Sequence, residues 1–165
     1  MTPLQRQAEA QTLELLLQAQ DQFKIRLPEV RITFDLRGRS AGMLRLPRSG
    51  AAVIRYNAQL LTENDPQFIA QTVPHEVAHL VAMTLHGRGI RPHGAEWKAV
   101  MEAFGAAPER CHQFDVSRTS RRRLRRFTYQ CNCREHQLSS IRHNRAQRGT
   151  RYLCRHCKTS LRPVE

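Results

Sequence analysis

No stretch of the chain approaches the roughly 18 consecutive apolar residues that a membrane-spanning helix needs, and the first positions carry Gln5, Arg6, Gln7 and Glu9 in place of a signal-peptide pattern. A cytoplasmic protein with no membrane partner is therefore expected. Acidic residues are scarce where basic ones crowd: residues 110–165 hold 3 Asp and Glu against 15 Lys and Arg, while residues 1–109 hold 11 against 12. The formal net charge of +13 thus belongs to the C-terminal third. Lysine is nearly missing there too, since 14 of those 15 cations are Arg. A merely solubilising excess would intersperse Lys with acids. An Arg-rich one grips phosphate with a planar fork, so nucleic acid is the expected partner and an anionic membrane surface the weaker alternative. Five cysteines without a secretory signal argue for metal ligands or free thiols and against disulfides. At 165 residues the chain suits one ordinary domain, or one of about 110 residues with a small module appended.

What is present is organised around His75-Glu76-Val77-Ala78-His79. On a helix, two histidines at this spacing share one face, so both rings reach a single tetrahedral ion about 2.0–2.1 Å from each nitrogen, and zinc is the natural ion. Glu76, next to the first ligand, lies near the open coordination position. A carboxylate there takes a proton from zinc-bound water and returns it to a leaving group, which is the chemistry of amide hydrolysis. Chance placement of the chain's His and Glu gives only about 0.02 such matches. The plainer reading, a buried helix with two satisfied histidines, is disfavoured because Val73, Val77, Leu80, Val81 and Leu85 form an apolar face of their own beside the histidines.

A third ligand has to come from downstream. Ala82 and Leu85 stand where a His-Glu-x-x-His-x-x-Gly-x-x-His site would have Gly and His, which leaves His86, His93, Glu96 and Glu102. His86 sits just before Gly87, at a helix C-terminus where a histidine is favourable for dipole reasons alone. His93 opens a second helical pattern after a Gly-containing turn and can fold back over the first site, so it is the preferred ligand, with Glu96 next. Trp97, on the same side of that second helix, reads as a core anchor beside the metal in preference to a wall of a substrate cleft. Cys111 and His112 read as a buried thiol and a surface histidine.

Taken in order, Thr2 as N-cap and Pro3 at the first helical position begin an amphipathic helix reaching about Lys24, with Leu13, Leu16, Leu17, Ala19 and Phe23 at helical spacing. Val30 to Leu36 alternate as a half-buried strand, and Met43–Leu46 and Ala52–Tyr56 read as two more. Gly-containing turns join the three into a meander with an exposed edge, where an extended substrate can pair. Asn64-Asp65-Pro66 reads as a capped helix start, and Pro74 predicts a kink or a fresh start near Val73.

At Arg118 the composition changes. The arginine-dense run to Arg126 reads as an arm that orders on phosphates, although a solvated loop is the default for such runs. Cys131-Asn132-Cys133 and Cys154-Arg155-His156-Cys157 then make two ligand corners, with His136 an alternative in the first. Four ligands would close a structural zinc site under a ribbon of about 35 residues, too short to fold without such a staple. Arg142, Arg145, Arg148 and Arg151 lie between the corners, interleaved with Phe127, Tyr129 and Tyr152. Such a mixture suits base stacking with phosphate contact, or else the aromatics simply pack the ribbon.

His-Glu-x-x-His, then Pro-His-Gly-x-x-Trp after a turn, a basic segment and a paired-cysteine module: this order resembles the SprT family, bacterial relatives of the Spartan DNA–protein-crosslink proteases, from about Phe23 to Leu161. The resemblance implies that His75, His79 and His93 bind a catalytic zinc and that Glu76 is catalytic. It implies a zinc ribbon on Cys131, Cys133, Cys154 and Cys157, with His136 still open as a replacement in the first corner, and substrates that are proteins bound or crosslinked to DNA. The expected fold is α+β. A zincin-like metalloprotease domain, helices plus a short three-stranded sheet, covers residues 1–112, a basic arm 113–128 and a zinc ribbon 129–165. Two zinc ions are expected, one catalytic and one structural, in a monomer. DNA, single-stranded or damaged, is expected to meet Arg121, Arg122, Arg123, Arg125, Arg126, Arg142, Arg145 and Arg148. The competing readings are a nucleic-acid-binding zinc protein or regulator without turnover, and a hydrolase of a non-peptide amide.

Overall fold

The computed structural model describes residues 1–116, 118–119 and 125–164, so the expected phosphate contacts Arg121, Arg122 and Arg123 lie outside the described residues. The chain forms two compact units, Met1–Arg121 and Arg122–Glu165. The first runs α1 (Pro3–Phe23), β1 (Val30–Thr33), β2 (Gly42–Arg45), β3 (Ala52–Tyr56), α2 (Ala58–Asn64), α3 (Gln67–His86) and α4 (Ala95–Ala103). The second runs β4 (Arg126–Gln130), β5 (Glu135–Ser139), α5 (Ser140–Gln147) and β6 (Arg162–Pro163).

α1 starts as its sequence predicts. The Thr2 side chain accepts from the Gln5 N–H at 3.2 Å while the Gln5 side chain accepts from the Thr2 N–H at 2.9 Å, satisfying two of the donors a helix start leaves free. The face it buries is Ala8, Thr12, Leu15, Leu16 and Ala19, whereas Leu13 and Leu17 stay in solvent. The Thr12 hydroxyl donates to the Ala8 carbonyl at 2.6 Å and meets the Tyr56 hydroxyl at 2.9 Å, which ties the helix to the sheet inside the core.

The sheet is not a meander. Its order is β1-β3-β2, with β1 parallel to β3 from Val30↔Ala52 to Thr33↔Arg55, and β2 antiparallel to β3 from Gly42↔Tyr56 to Arg45↔Val53. The physical reason lies in the strands themselves. β3 buries Ala52, Val53, Ile54 and Tyr56 and belongs where it is paired on both sides, while β1 and β2 expose Arg31 and Arg45 as edge strands do. Among the described residues, both outer strands therefore present a free edge.

α3 runs unbroken through Pro74. The proline forfeits the bond to the Ala70 carbonyl, yet Phe68, Ile69, Val73, Val77, Leu80 and Val81 are buried against the surrounding elements, and that burial holds the helix together. The expected cap at Asn64 is absent: Asn64 closes α2, its Nδ2 donating to the Leu60 carbonyl at 2.9 Å. Gly87 ends α3 as expected, with φ 85°. Through the core runs a chain of rings, Phe34–Tyr56–Phe68–Phe114, with centroids 5.7, 6.1 and 5.8 Å apart.

In the second unit the sheet order is β5-β4-β6, all antiparallel. α5 is pinned to β4 through His143, whose ring stacks on Phe127 at 3.7 Å and whose Nδ1 lies 3.1 Å from the Tyr129 hydroxyl. Phe127 and Tyr129 therefore pack the ribbon, the second of the two roles open to them. Among the described residues, no helix is long and apolar enough to cross a membrane.

Candidate functional site

The amphipathic pattern of α3 places two of the candidate metal-ligating side chains. With its apolar face turned into the core, His75 and His79 stand half-buried at its border. His93 reaches them from the turn ahead of α4, whose Gly94 N–H donates to the Arg91 carbonyl at 2.9 Å. Nε2 of His79 and Nε2 of His93 lie 3.2 and 3.1 Å from Nε2 of His75. Nitrogens held on one tetrahedral ion at the usual zinc distance would be about 3.3 Å apart, so the three rings fit a single metal. Behind them is Trp97, only 1% exposed, which donates from Nε1 to the His75 carbonyl at 3.3 Å and lies ring-to-ring within 4.8 Å of His75 and of His93. It is the core anchor expected of it. His86, Glu96 and Glu102 do not join the cluster.

Burial pushes His75 down to about 4 and His79 down to about 3, helped by the neighbouring histidines, and it lowers His93 as well. Neutral rings offer lone pairs. Three neutral imidazoles whose Nε2 atoms converge are a candidate cation site by donor chemistry. Beside them, Glu76 is 5% exposed, and burial pushes its carboxyl up to about 8 against a partial offset from the Leu44 backbone N–H. Gly42 on β2 makes room for it: a Cβ at that position would lie 2.5 Å from Glu76 Oε1 and 2.6 Å from its Cγ. The sequence shows Gly42 only as part of a turn, and nothing local marks its contact with Glu76.

Two cavities flank Glu76. One of about 390 Å³ runs toward Arg39, Gln71, Thr72 and Phe114, and the other, about 380 Å³, toward Met43, Leu44, Leu46 and Met83. Gly42, His75, Glu76 and Arg110 line both. Two residues unremarked or misread in the sequence shape the first cavity. Asn57, 1% exposed, caps α2 by accepting from the Gln59 and Leu60 N–H groups and donates from Nδ2 to the Gly38 and Ser40 carbonyls, fastening the β1–β2 loop. An Asn directly before a helical run is a cap signal that could have marked it. His112 is more than a surface histidine: it bonds the Arg39 carbonyl at 3.0 Å, accepts from the Phe114 N–H at 3.2 Å and stacks on that ring. Cys111, expected to be buried, is exposed, because it lies where the segment lines the open first cavity.

In the second unit the Sγ atoms of Cys131, Cys133, Cys154 and Cys157 all lie within 4.8 Å of one another. Cys131–Cys133 is 3.4 Å and Cys133–Cys154 3.7 Å, close to the roughly 3.8 Å edge of a tetrahedron of sulfurs around zinc. His136 stays outside this group, its Nε2 3.2 Å from Cys131 Sγ, as a neighbour that can donate to a ligand sulfur. The Thr159 hydroxyl and backbone hold the Cys157 thiol down to about 5, so this sulfur readily offers a thiolate.

A mixed α+β chain with His75 and His79 on α3, His93 ahead of α4 and a four-cysteine cluster in the second unit carries two donor sets that could each hold a metal ion, which defines a candidate class of two-site metal-binding proteins. Comparison with known proteins narrows the class: the model of the SprT-like family matches residues 12–120, and the chain belongs to that family. Protein SprT of Pseudomonas paraeruginosa PA7 is 44% identical over 148 residues, covering 87% of this chain and 86% of its own. Protein SprT of Actinobacillus succinogenes is 43% identical over 155 residues, with 92% and 87% covered. That of Pseudomonas fluorescens SBW25 is 40% identical over 151 residues, with 90% and 88% covered. No solved structure matches the chain.

Proposed function

We propose that the chain is a zinc-dependent metalloendopeptidase of zincin-like architecture that acts on proteins held on DNA. The observation that carries the reading is a buried carboxylate, Glu76, at the point where three convergent histidine nitrogens meet two cavities. His75, His79 and His93 would hold the catalytic zinc, and the four cysteines a structural one. Bound zinc would supply Lewis acidity toward a carbonyl and lower the pKa of water. Glu76 takes the proton of the attacking water and delivers it to the departing amine nitrogen, and its dry surroundings raise its basicity for that task. The free edge of β2, which carries Gly42 beside Glu76, is placed to pair with an extended peptide.

For the nucleic-acid side, support comes from a cavity of about 460 Å³ in the second unit lined by Arg134, Arg142, Arg155, His136, His156 and Tyr152, with no carboxylate among its lining residues. Two of these arginines, Arg134 and Arg155, were not among the expected contacts. Of those that were, Arg125, Arg126, Arg145 and Arg148 are exposed, as phosphate contacts must be.

Glu76→Gln tests the reading in the full chain. The variant is expected to keep two zinc ions per chain while losing at least about 100-fold in cleavage of casein measured with single-stranded DNA present. Equal cleavage by variant and wild type would sink the peptidase reading. A wild type that binds DNA and zinc but cleaves nothing would leave the non-catalytic regulator.

A further inference from the structure

Proton transfer by Glu76 leaves one demand of amide hydrolysis without a residue of this chain. When water adds to the carbonyl carbon, its proton passes to Glu76 and the carbonyl electron pair moves onto oxygen as negative charge. As the pair returns, the C–N bond breaks and the Glu76 proton goes to the departing nitrogen. A fixed donor aimed at that transient charge is commonly worth about 100-fold or more in rate.

Arg110 lines both cavities that flank Glu76. Of the four residues common to both cavities, Gly42 offers no side chain and His75 and Glu76 have other tasks. Only Arg110 brings a permanent positive charge to both sides of the centre, since a guanidinium does not deprotonate in a protein. It shares the second cavity with His75, His79 and His93. The segment around it is fixed at both ends: the Ala106 N–H donates to the Met101 carbonyl at 3.0 Å, and His112 bonds the Arg39 carbonyl at 3.0 Å. Yet Arg110 itself makes no hydrogen bond or ion pair among the described residues, while its neighbour His112 uses both ring nitrogens. An anchored backbone carrying an uncommitted cation over a cleft is an arrangement for a ligand that arrives with negative charge.

We propose that Arg110 is a catalytic residue whose guanidinium donates to the scissile carbonyl oxygen as that oxygen becomes anionic. The inference rests on the metallopeptidase reading. Arg110 transfers no proton, and its contribution grows as a bound peptide covers it and excludes water.

The test uses the zinc-loaded full chain with fluorescein-labelled casein and single-stranded DNA. Arg110→Ala is expected to lower kcat about 100-fold and change KM less than about twofold, with Arg110→Lys recovering part of the loss and added guanidinium rescuing the alanine variant. Zinc content and thermal midpoint should equal those of the wild type. In the Glu76→Gln background, casein affinity read by anisotropy should be the same whether Arg110 is retained or Arg110→Ala is added. A raised KM with kcat preserved, or weaker casein binding in that background, would show a grip on acidic substrate side chains and overturn the proposal, as would unchanged kinetics. Absence of any Glu76-dependent cleavage by the wild type would instead overturn the metallopeptidase reading itself.

Discussion

Glu76 has cavities on two sides but no spare room toward β2. Gly42 faces it across the β2–α3 contact, and a methyl group there would meet the carboxylate at 2.5 to 2.8 Å, closer than atoms tolerate. Gly42→Ala should therefore move Glu76 and leave the fold and the three histidines in place. The expected result is about a 100-fold loss of casein cleavage with zinc content unchanged, the size of effect that an ångström of misplacement produces. Cleavage within about threefold of wild type would show that Glu76 has room to spare. The contrast with the His75–His79 pair shows what is legible at this scale. Helical spacing alone sets that pair, so the sequence displays it. The need for glycine at 42 arises from a residue on another element, and no local pattern carries it.

Elements obey the same division. α1 was legible because its cap and apolar spacing are local signals, and α3 by its apolar spacing without a cap, with Gly87 ending it where glycine favours the turn. Strand order was not, because which strand sits centrally depends on which is covered on both sides, a property of the assembled core. Pro74 starts no fresh helix for the same reason: burial of the α3 face outweighs one missing bond. Asn57 joins two elements, capping α2 while holding the Gly38 and Ser40 carbonyls of the β1–β2 loop. Asn57→Ala removes the cap and leaves buried partners unpaired, so a destabilisation of about 2–4 kcal/mol is expected in urea unfolding. Asn57→Asp keeps the cap acceptor but sets a buried carboxylate oxygen against those two carbonyls, so it should destabilise as well. If both variants unfold at the wild-type midpoint, the loop is held by other means.

At the scale of the whole molecule, three groups of α3 set opposing pH dependences when metal is removed. His75 and His79 are held near 4 and 3 against an ordinary 6.5, so the unfolded chain binds more protons there, and stability from them rises with pH up to about 6.5. Glu76 is held near 8 against an ordinary 4.5, so the folded chain binds more, and its contribution falls between those values. Above pH 6.5 the histidines are neutral in both states and only Glu76 still acts. Glu76→Gln in chelator should therefore gain on the wild type as pH rises from about 4.5 to 8, by about 1.4 kcal/mol per pH unit, with about 2 kcal/mol of that gain falling above pH 6.5. Trp97 makes the measurement clean, because the only tryptophan lies beside the histidines and its fluorescence follows the first unit alone. Zinc should reverse the trend: protons compete with metal for the histidines, so the loaded chain should gain stability as pH rises through about 6.5. A gap between Glu76→Gln and wild type that stays constant with pH would mean that Glu76 is solvated, and the dry, proton-raising environment assigned to the catalytic base would have to be given up.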